Sequence, residues 1–139
     1  MVAELWGPGS GTNMYLLLII GAGGFVGAIS RYIVGGWIQN NLISFPMGTL
    51  GVNFIGSFGL SFIMYLSEYK GFFTEETRVF LTIGLLGAFT TMSSFGYESF
   101  KLFEGEEILL FGLNVIGTMI LVFAGIYLGK LVALNLMGG

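Results

Sequence analysis

The chain has 139 residues, of which 55% are hydrophobic and only 9% are charged, and its formal net charge is −3. This composition is too apolar for a soluble domain of that length and indicates an integral membrane protein. Cysteine and histidine are absent, which excludes disulfides, thiolate nucleophiles, imidazole metal sites and Ser-His-Asp catalysis. With five lysines and arginines in all, the chain has no basic patch that would bind nucleic acid.

The first 13 residues contain turn formers and no apolar period, as in Gly7-Pro-Gly-Ser-Gly-Thr-Asn13. We interpret residues 1–13 as a linker or an expression-derived segment, or alternatively as a short amphipathic arm. Residues 14–139 are predicted to form a single transmembrane domain of four helices.

The first predicted span runs from Met14 to about Ile38, long enough for the roughly 20 apolar residues that a bilayer requires. Gly23 and Gly27 have the four-residue spacing that lets two helix backbones approach closely. Arg31 lies near the end of the span, where an arginine is costly unless it reaches water or a partner. It is either an interfacial anchor or a residue that attracts anions into a vestibule.

A short loop, Trp37 to Phe45, is predicted to lead into a second span that begins with Pro46 in its first turn. Polar residues recur at every fourth position of this span and therefore share one helix face. They are Thr49, Asn53, Ser57 and Ser61. Hydroxyl stripes of this kind usually join helices, but an unpaired buried amide is costly, so Asn53 favours a polar pore.

A charged loop from Ser67 to Thr77 is predicted to precede the third helix, with Thr74 as its cap. This third span continues to about Phe100. Within it, Gly84-Leu-Leu-Gly-Ala-Phe-Thr-Thr-Met-Ser-Ser-Phe-Gly-Tyr-Glu98 combines glycines with four hydroxyl residues. In lipid, such an interruption is tolerated only where protein or a water-filled cavity surrounds it. We predict a break near the middle of this span, with carbonyls that suit a cation and N–H groups that suit an anion.

The last predicted loop is charged, and it contains Lys101, Glu104, Glu106 and Glu107. The fourth span is predicted from about Ile108 to Leu134. Asn114 and Thr118 lie on one face of it, while Gly125 and Gly129 repeat the close-packing spacing.

Four spans place three positive residues on one side of the membrane, Lys70, Arg78 and Lys130, and two on the other, Arg31 and Lys101. A difference of one charge specifies orientation weakly. Such a chain can insert both ways, which permits an antiparallel two-fold homodimer, although other features could equally fix one orientation.

Three segments resemble the signatures of the Fluc (CrcB) fluoride channels. They are Gly23-Gly-Phe-Val-Gly-Ala-Ile-Ser-Arg-Tyr32, Pro46-Met-Gly-Thr-Leu-Gly-Val-Asn-Phe-Ile-Gly-Ser-Phe58 and the Gly84–Glu98 stretch. The likeness covers residues 14 to 135, and the fourth span matches only in outline. The resemblance implies an all-α, dual-topology homodimer in a bacterial plasma (inner) membrane, which is not an enzyme and exports cytoplasmic fluoride passively.

The resemblance also implies roles for particular residues. The backbone carbonyls of Gly87 and Thr90 from both chains would hold a structural sodium ion. Asn53 would bond in the pore, Arg31 would lie in the vestibule, and the polar lining would include Ser93, Ser94 and Thr118. Phe95 matches one phenylalanine of the family's aromatic pair.

Met92 departs from the family pattern, which has a second phenylalanine three residues before the position of Phe95. A phenyl ring offers fluoride an electropositive edge, whereas a thioether is flexible and a weak acceptor. This substitution bears on throughput more than on fold.

A proton-coupled four-helix exporter is the alternative function. Such proteins usually need a carboxylate within the membrane. Glu98 is the only candidate carboxylate near the core of the third span. Hydroxyl groups accept as well as donate, so the residues by themselves do not choose between an anion and a cation.

Overall fold

Four helices long and apolar enough to cross a membrane make up the described part of this protein. The computed structural model describes residues 13–40 and 44–138, so residues 1–12 of the predicted N-terminal linker (residues 1–13) lie outside it. The first, second and fourth spans are single helices, α1 (Met14–Gln39), α2 (Met47–Lys70) and α6 (Ile108–Met137). The protein is therefore all-α, as predicted.

The third span, Glu75–Glu104, is made of several pieces. It begins with α3 (Glu75–Val79), widens into a π-helical segment (Phe80–Leu86) and returns to one short turn, α4 (Gly87–Phe89). After two residues of extended backbone it resumes as α5 (Met92–Glu104). The predicted break is confirmed, and it falls at Thr90 and Thr91.

Capping residues explain where several helices begin. The side chain of Asn13 accepts a hydrogen bond from the Tyr15 N–H at 3.1 Å, which starts α1. Thr74 caps α3 as predicted, accepting from the Thr77 N–H. Pro46 is the residue before α2 rather than part of its first turn. Since proline has no side-chain acceptor, Gln39 of α1 serves instead, its Oε1 accepting from the Gly48 N–H at 2.8 Å.

The helices extend further than the apolar pattern predicted. Trp37 lies within α1, residues 67–70 belong to α2, and Lys101 and Glu104 belong to α5, so the three loops predicted there were too long. The physical reason is that apolar length measures the hydrocarbon layer, whereas a helix can continue into the polar interface.

Glycines bring the spans together in two pairs. A Cβ atom on Gly23 would lie 2.6 Å from the Phe80 carbonyl oxygen, and one on Gly27 would collide with the Leu85 carbonyl. In the other pair, a Cβ on Gly125 would lie 2.9 Å from the Phe54 carbonyl oxygen, and one on Gly129 would collide with that of Phe58. Hence α1 packs on the third span and α2 packs on α6, as the predicted small-residue spacing requires.

Candidate functional site

The break in the third span consists of two extended threonines. Thr90 has φ −80° and ψ 157°, and Thr91 has φ −148° and ψ 109°. Thr91 then caps α5, because its Oγ1 accepts from the Ser94 N–H at 3.1 Å. The chain therefore ends one helix and starts another inside a membrane span.

Asn53 of α2 holds this break with both ends of its amide. Its Oδ1 accepts from the Thr91 N–H at 2.8 Å, and its Nδ2 donates to the Thr91 carbonyl oxygen at 3.1 Å. The side chain is 7% exposed. Asn53 thus replaces the backbone partners that Thr91 loses by leaving the helix, which matters because an unpaired backbone group in a membrane interior is costly.

Two carbonyls beside the break are released from helical hydrogen bonding. In a continuous helix the Thr91 N–H would point at the Gly87 carbonyl, but it donates to Asn53 instead. Likewise the Ser94 N–H, the helical partner expected for the Thr90 carbonyl, donates to Thr91 Oγ1. Backbone oxygens freed by unwinding are the ligands that membrane proteins use for sodium. The predicted sodium ligands, Gly87 and Thr90, therefore fit a small cation in their chemistry.

Arg31 also reaches this break. Its Nη1 donates to the Thr90 carbonyl oxygen at 3.4 Å, so its guanidinium extends from α1 to one of the predicted cation ligands. This contact, with a residue 59 positions along the chain, bears on both interpretations of Arg31, because an anchor and a vestibule residue would each gain a direct bond to the break.

Thr91 lines two cavities. The wide cavity, of about 730 Å³, lies between α1, α2 and α5 and is lined by Arg31, Ser94, Glu98 and Lys101 among others. The narrow cavity, of about 250 Å³, reaches α6. Its polar lining is Asn53, Ser57, Thr82, Thr90, Thr91 and Thr118.

The narrow cavity gathers three of the seven predicted pathway residues and both predicted sodium ligands. Asn53, Gly87, Thr90, Met92 and Thr118 all line it. Thr118 is 2% exposed, and its hydroxyl has no hydrogen-bond partner among the residues that the structure describes. A buried hydroxyl without a partner is costly, and a ligand or water in this cavity would relieve that cost.

The remaining predicted residues are placed differently. Ser94 lines the wide cavity, and its Oγ accepts from Thr91 Oγ1 at 2.9 Å. Ser93 is exposed, and its Oγ lies 3.4 Å from the same hydroxyl. Phe95 is 6% exposed and lines neither cavity, whereas Met92 is 70% exposed. Within one chain the predicted aromatic position and its methionine neighbour therefore have different surroundings.

A second polar cluster lies between the end of the third span and its neighbours. Glu98 Oε1 accepts from Thr49 Oγ1 at 2.9 Å, while its buried Oε2 has no partner within the described residues. Ser99 Oγ accepts from Asn114 Nδ2 at 2.9 Å and donates to the Phe95 carbonyl at 2.7 Å.

Sequence reasoning did not single out Thr91 or Ser99 as site residues. For Thr91 a signal was present, since threonine is a preferred N-cap residue and Thr91 lies where the interrupted span resumes. For Ser99 there was none, because its partner, Asn114, lies on another helix.

The fold and this geometry define a multi-pass membrane protein whose third span is broken at a polar centre, a class that includes channels and transporters for small ions. The family model described as "CrcB-like protein, Camphor Resistance (CrcB)" matches residues 18–130. The chain belongs to this CrcB family, which confirms the resemblance seen in the sequence.

Several named relatives are similar along most of their length. The "Fluoride-specific ion channel FluC 3" of Methanosarcina barkeri is 55% identical over 130 residues, which cover 91% of this chain and 98% of the relative. The "Fluoride-specific ion channel FluC 1" of Methanosarcina acetivorans is 55% identical over 123 residues, covering 88% and 94%. The "Fluoride-specific ion channel FluC" of Methanococcus vannielii is 42% identical over 115 residues, covering 83% and 93%.

Proposed function

We propose that this protein is a fluoride channel that lets cytoplasmic fluoride leave passively across the cell membrane, rather than an enzyme. The observation that carries the proposal is the unwound, threonine-lined break held by Asn53 in a chain 55% identical to proteins named fluoride-specific channels. Fluoride is small and strongly hydrated, so a pore must replace its water with hydrogen-bond donors. The donors that we assign to contact the ion in the narrow cavity, Asn53 and Thr118, are uncharged, which suits passage because tight binding would trap the ion.

The assigned pathway comprises Asn53, Met92, Phe95, Ser93, Ser94, Thr118 and Arg31. Asn53 uses one Nδ2 hydrogen on Thr91, and an amide nitrogen carries two, so one donor remains for an anion. Thr118 contributes a hydroxyl with no partner in the described structure, and Arg31 supplies the positive charge that attracts an anion toward the break.

We further propose an antiparallel homodimer with a sodium ion at its centre. Gly87 is exposed, and the helical partner of its carbonyl is occupied elsewhere. Such a carbonyl cannot face lipid. A second copy that meets this surface would cover it, and Gly87 and Thr90 from the two copies would then supply the oxygen ligands of the ion.

Liposomes loaded with potassium fluoride or potassium chloride test the channel. With valinomycin carrying potassium, we expect rapid fluoride efflux, little chloride efflux and no effect of a proton gradient. Chloride efflux as fast as fluoride efflux would contradict the proposed selectivity.

A proton-coupled exporter remains the second candidate, because Glu98 has a buried carboxylate oxygen without a partner in the described part of the chain. Membrane carboxylates of this kind often carry protons in transporters. Fluoride efflux that stalls without a proton gradient, and that Glu98→Gln abolishes, would favour this candidate over the channel.

A further inference from the structure

We propose that Arg31 is a built-in cation at the carbonyl end of the break, which shares the Thr90 carbonyl with the sodium ion and weakens sodium binding. This inference rests on the proposed function, since it assumes the sodium ion between two copies. It adds a role for Arg31 that differs from attracting anions into the vestibule.

The contact itself carries the first step. Arg31 Nη1 lies 3.4 Å from the Thr90 carbonyl oxygen. The Ser94 N–H that would occupy this oxygen in a continuous helix donates to Thr91 Oγ1. The guanidinium therefore bonds to an oxygen that unwinding has made available.

The local structure holds this oxygen in place. The Thr90 N–H and Oγ1 both donate to the Leu86 carbonyl at 3.1 Å, and Asn53 fixes the next residue from both sides. The Thr90 carbonyl cannot rotate away from Arg31 without breaking these hydrogen bonds. A cation that arrives at Thr90 therefore meets a guanidinium already bonded to its ligand.

Charge decides the sign of the effect. Arginine keeps its charge at every physiological pH. A unit positive charge within several ångströms of a second cation, in a partly screened site, disfavours that cation by about tenfold or more. At the same time the guanidinium stabilises the freed carbonyl of a chain that has not yet met its partner, where lipid offers no hydrogen bond.

The test is a sodium titration of the purified protein, with N-methyl-D-glucamine replacing sodium at constant ionic strength. The readouts are the dimer fraction and the thermal unfolding midpoint, and neither depends on transport. We expect Arg31→Gln to lower the sodium concentration of half-maximal effect about tenfold, and Arg31→Lys, which keeps the charge, to stay near the unmodified protein. Arg31→Met, which keeps an unbranched stem without the charge, provides a second neutral variant if Arg31→Gln does not fold.

Lys101→Gln is the matched control. It removes the same charge from the wide cavity, but Lys101 is exposed and bonded to Glu104 at 2.8 Å. The sodium concentration of half-maximal effect should therefore be the same in Lys101→Gln as in the unmodified protein. The inference would be overturned if the sodium concentration of half-maximal effect in Arg31→Gln were equal to or higher than that of the unmodified protein. A dimer fraction and a thermal unfolding midpoint that do not change with sodium would overturn it as well. If that same protein still released fluoride from liposomes, the channel proposal would stand.

Discussion

At the scale of single residues, Asn53 has two tasks that sequence reasoning treated as one. Its amide oxygen and nitrogen each form a hydrogen bond with Thr91. The side chain also lines the narrow cavity, and one of its two Nδ2 hydrogens is not used by Thr91. An amide suits both tasks because it donates and accepts. A carboxylate can only accept, and a hydroxyl is too short to bond both backbone groups of Thr91.

We therefore expect Asn53→Asp and Asn53→Ala to suppress fluoride efflux for a structural reason. Asn53→Ala leaves both backbone groups of Thr91 unpaired, and Asn53→Asp places a carboxylate oxygen against the Thr91 carbonyl. Each loss should cost about 1–3 kcal/mol of stability. Hydrogen exchange of the Thr91 amide measures the effect directly and should accelerate in Asn53→Ala.

Ser57→Ala provides the control for this experiment. Ser57 lies four residues after Asn53 on α2 and lines the same cavity. The side chain that bonds to both backbone groups of Thr91 is that of Asn53. Exchange at Thr91 should therefore be unchanged in Ser57→Ala. If Asn53→Ala also left Thr91 exchange unchanged while flux fell, Asn53 would act only on the ion.

At the scale of helices, the third span depends on α1 for its position. The π-helical segment Phe80–Leu86 ends three residues before the break, and both its ends lie against the glycines of α1. A π-helical turn widens the backbone and often occurs at functional sites. The close approach of α1 therefore fixes the position of the segment that leads directly to Gly87 and to the break at Thr90.

Two glycines of α1 allow a matched test of this packing. A Cβ on Gly27 would collide with the Leu85 carbonyl, whereas one on Gly24 meets nothing within 4 Å. Both substitutions to alanine gain the same helix propensity, up to ~1 kcal/mol. We expect Gly27→Ala to be less stable than Gly24→Ala by about 2 kcal/mol, as overpacking predicts, measured by thermal unfolding in detergent. Equal stabilities would show that α1 can move away at little cost.

The same elements show how far the sequence could predict this structure. The break, the Thr74 cap and the glycine contacts were predictable, because each depends on local chemistry or on a fixed helical spacing. The polar stripe of α2 was predictable only in part. Each four-residue step drifts by about 40° around a helix, so Asn53 bonds the third span while Ser61 donates to the Ile126 carbonyl of α6 at 2.7 Å.

Contacts between distant residues were beyond sequence reasoning. The bonds of Arg31 to Thr90, of Thr49 to Glu98 and of Asn114 to Ser99 require the packed arrangement of helices. The surroundings of Phe95 and Met92 also depend on which face of α5 meets neighbouring helices, and periodicity alone does not settle that choice.

At the scale of the whole molecule, the balance of positive charge leads to a test of orientation. The predicted topology has three lysines and arginines on one side of the membrane and two on the other, so the proposed antiparallel dimer should arise from chains inserted in both directions. The chain has no cysteine, and a single introduced cysteine therefore reports one position cleanly. Phe72→Cys and Glu107→Cys place it in exposed positions on opposite sides of the membrane.

With a membrane-impermeant maleimide on intact cells, each variant should be labelled to about half the level reached after permeabilisation, as an even charge balance predicts. Adding Phe72→Lys to Glu107→Cys breaks that balance in favour of a cytoplasmic loop between α2 and the third span. Labelling of Glu107→Cys should then rise toward completion, and fluoride efflux should fall because antiparallel partners become scarce. Complete labelling of one original variant and none of the other would contradict the antiparallel homodimer and leave a chain with a single fixed orientation.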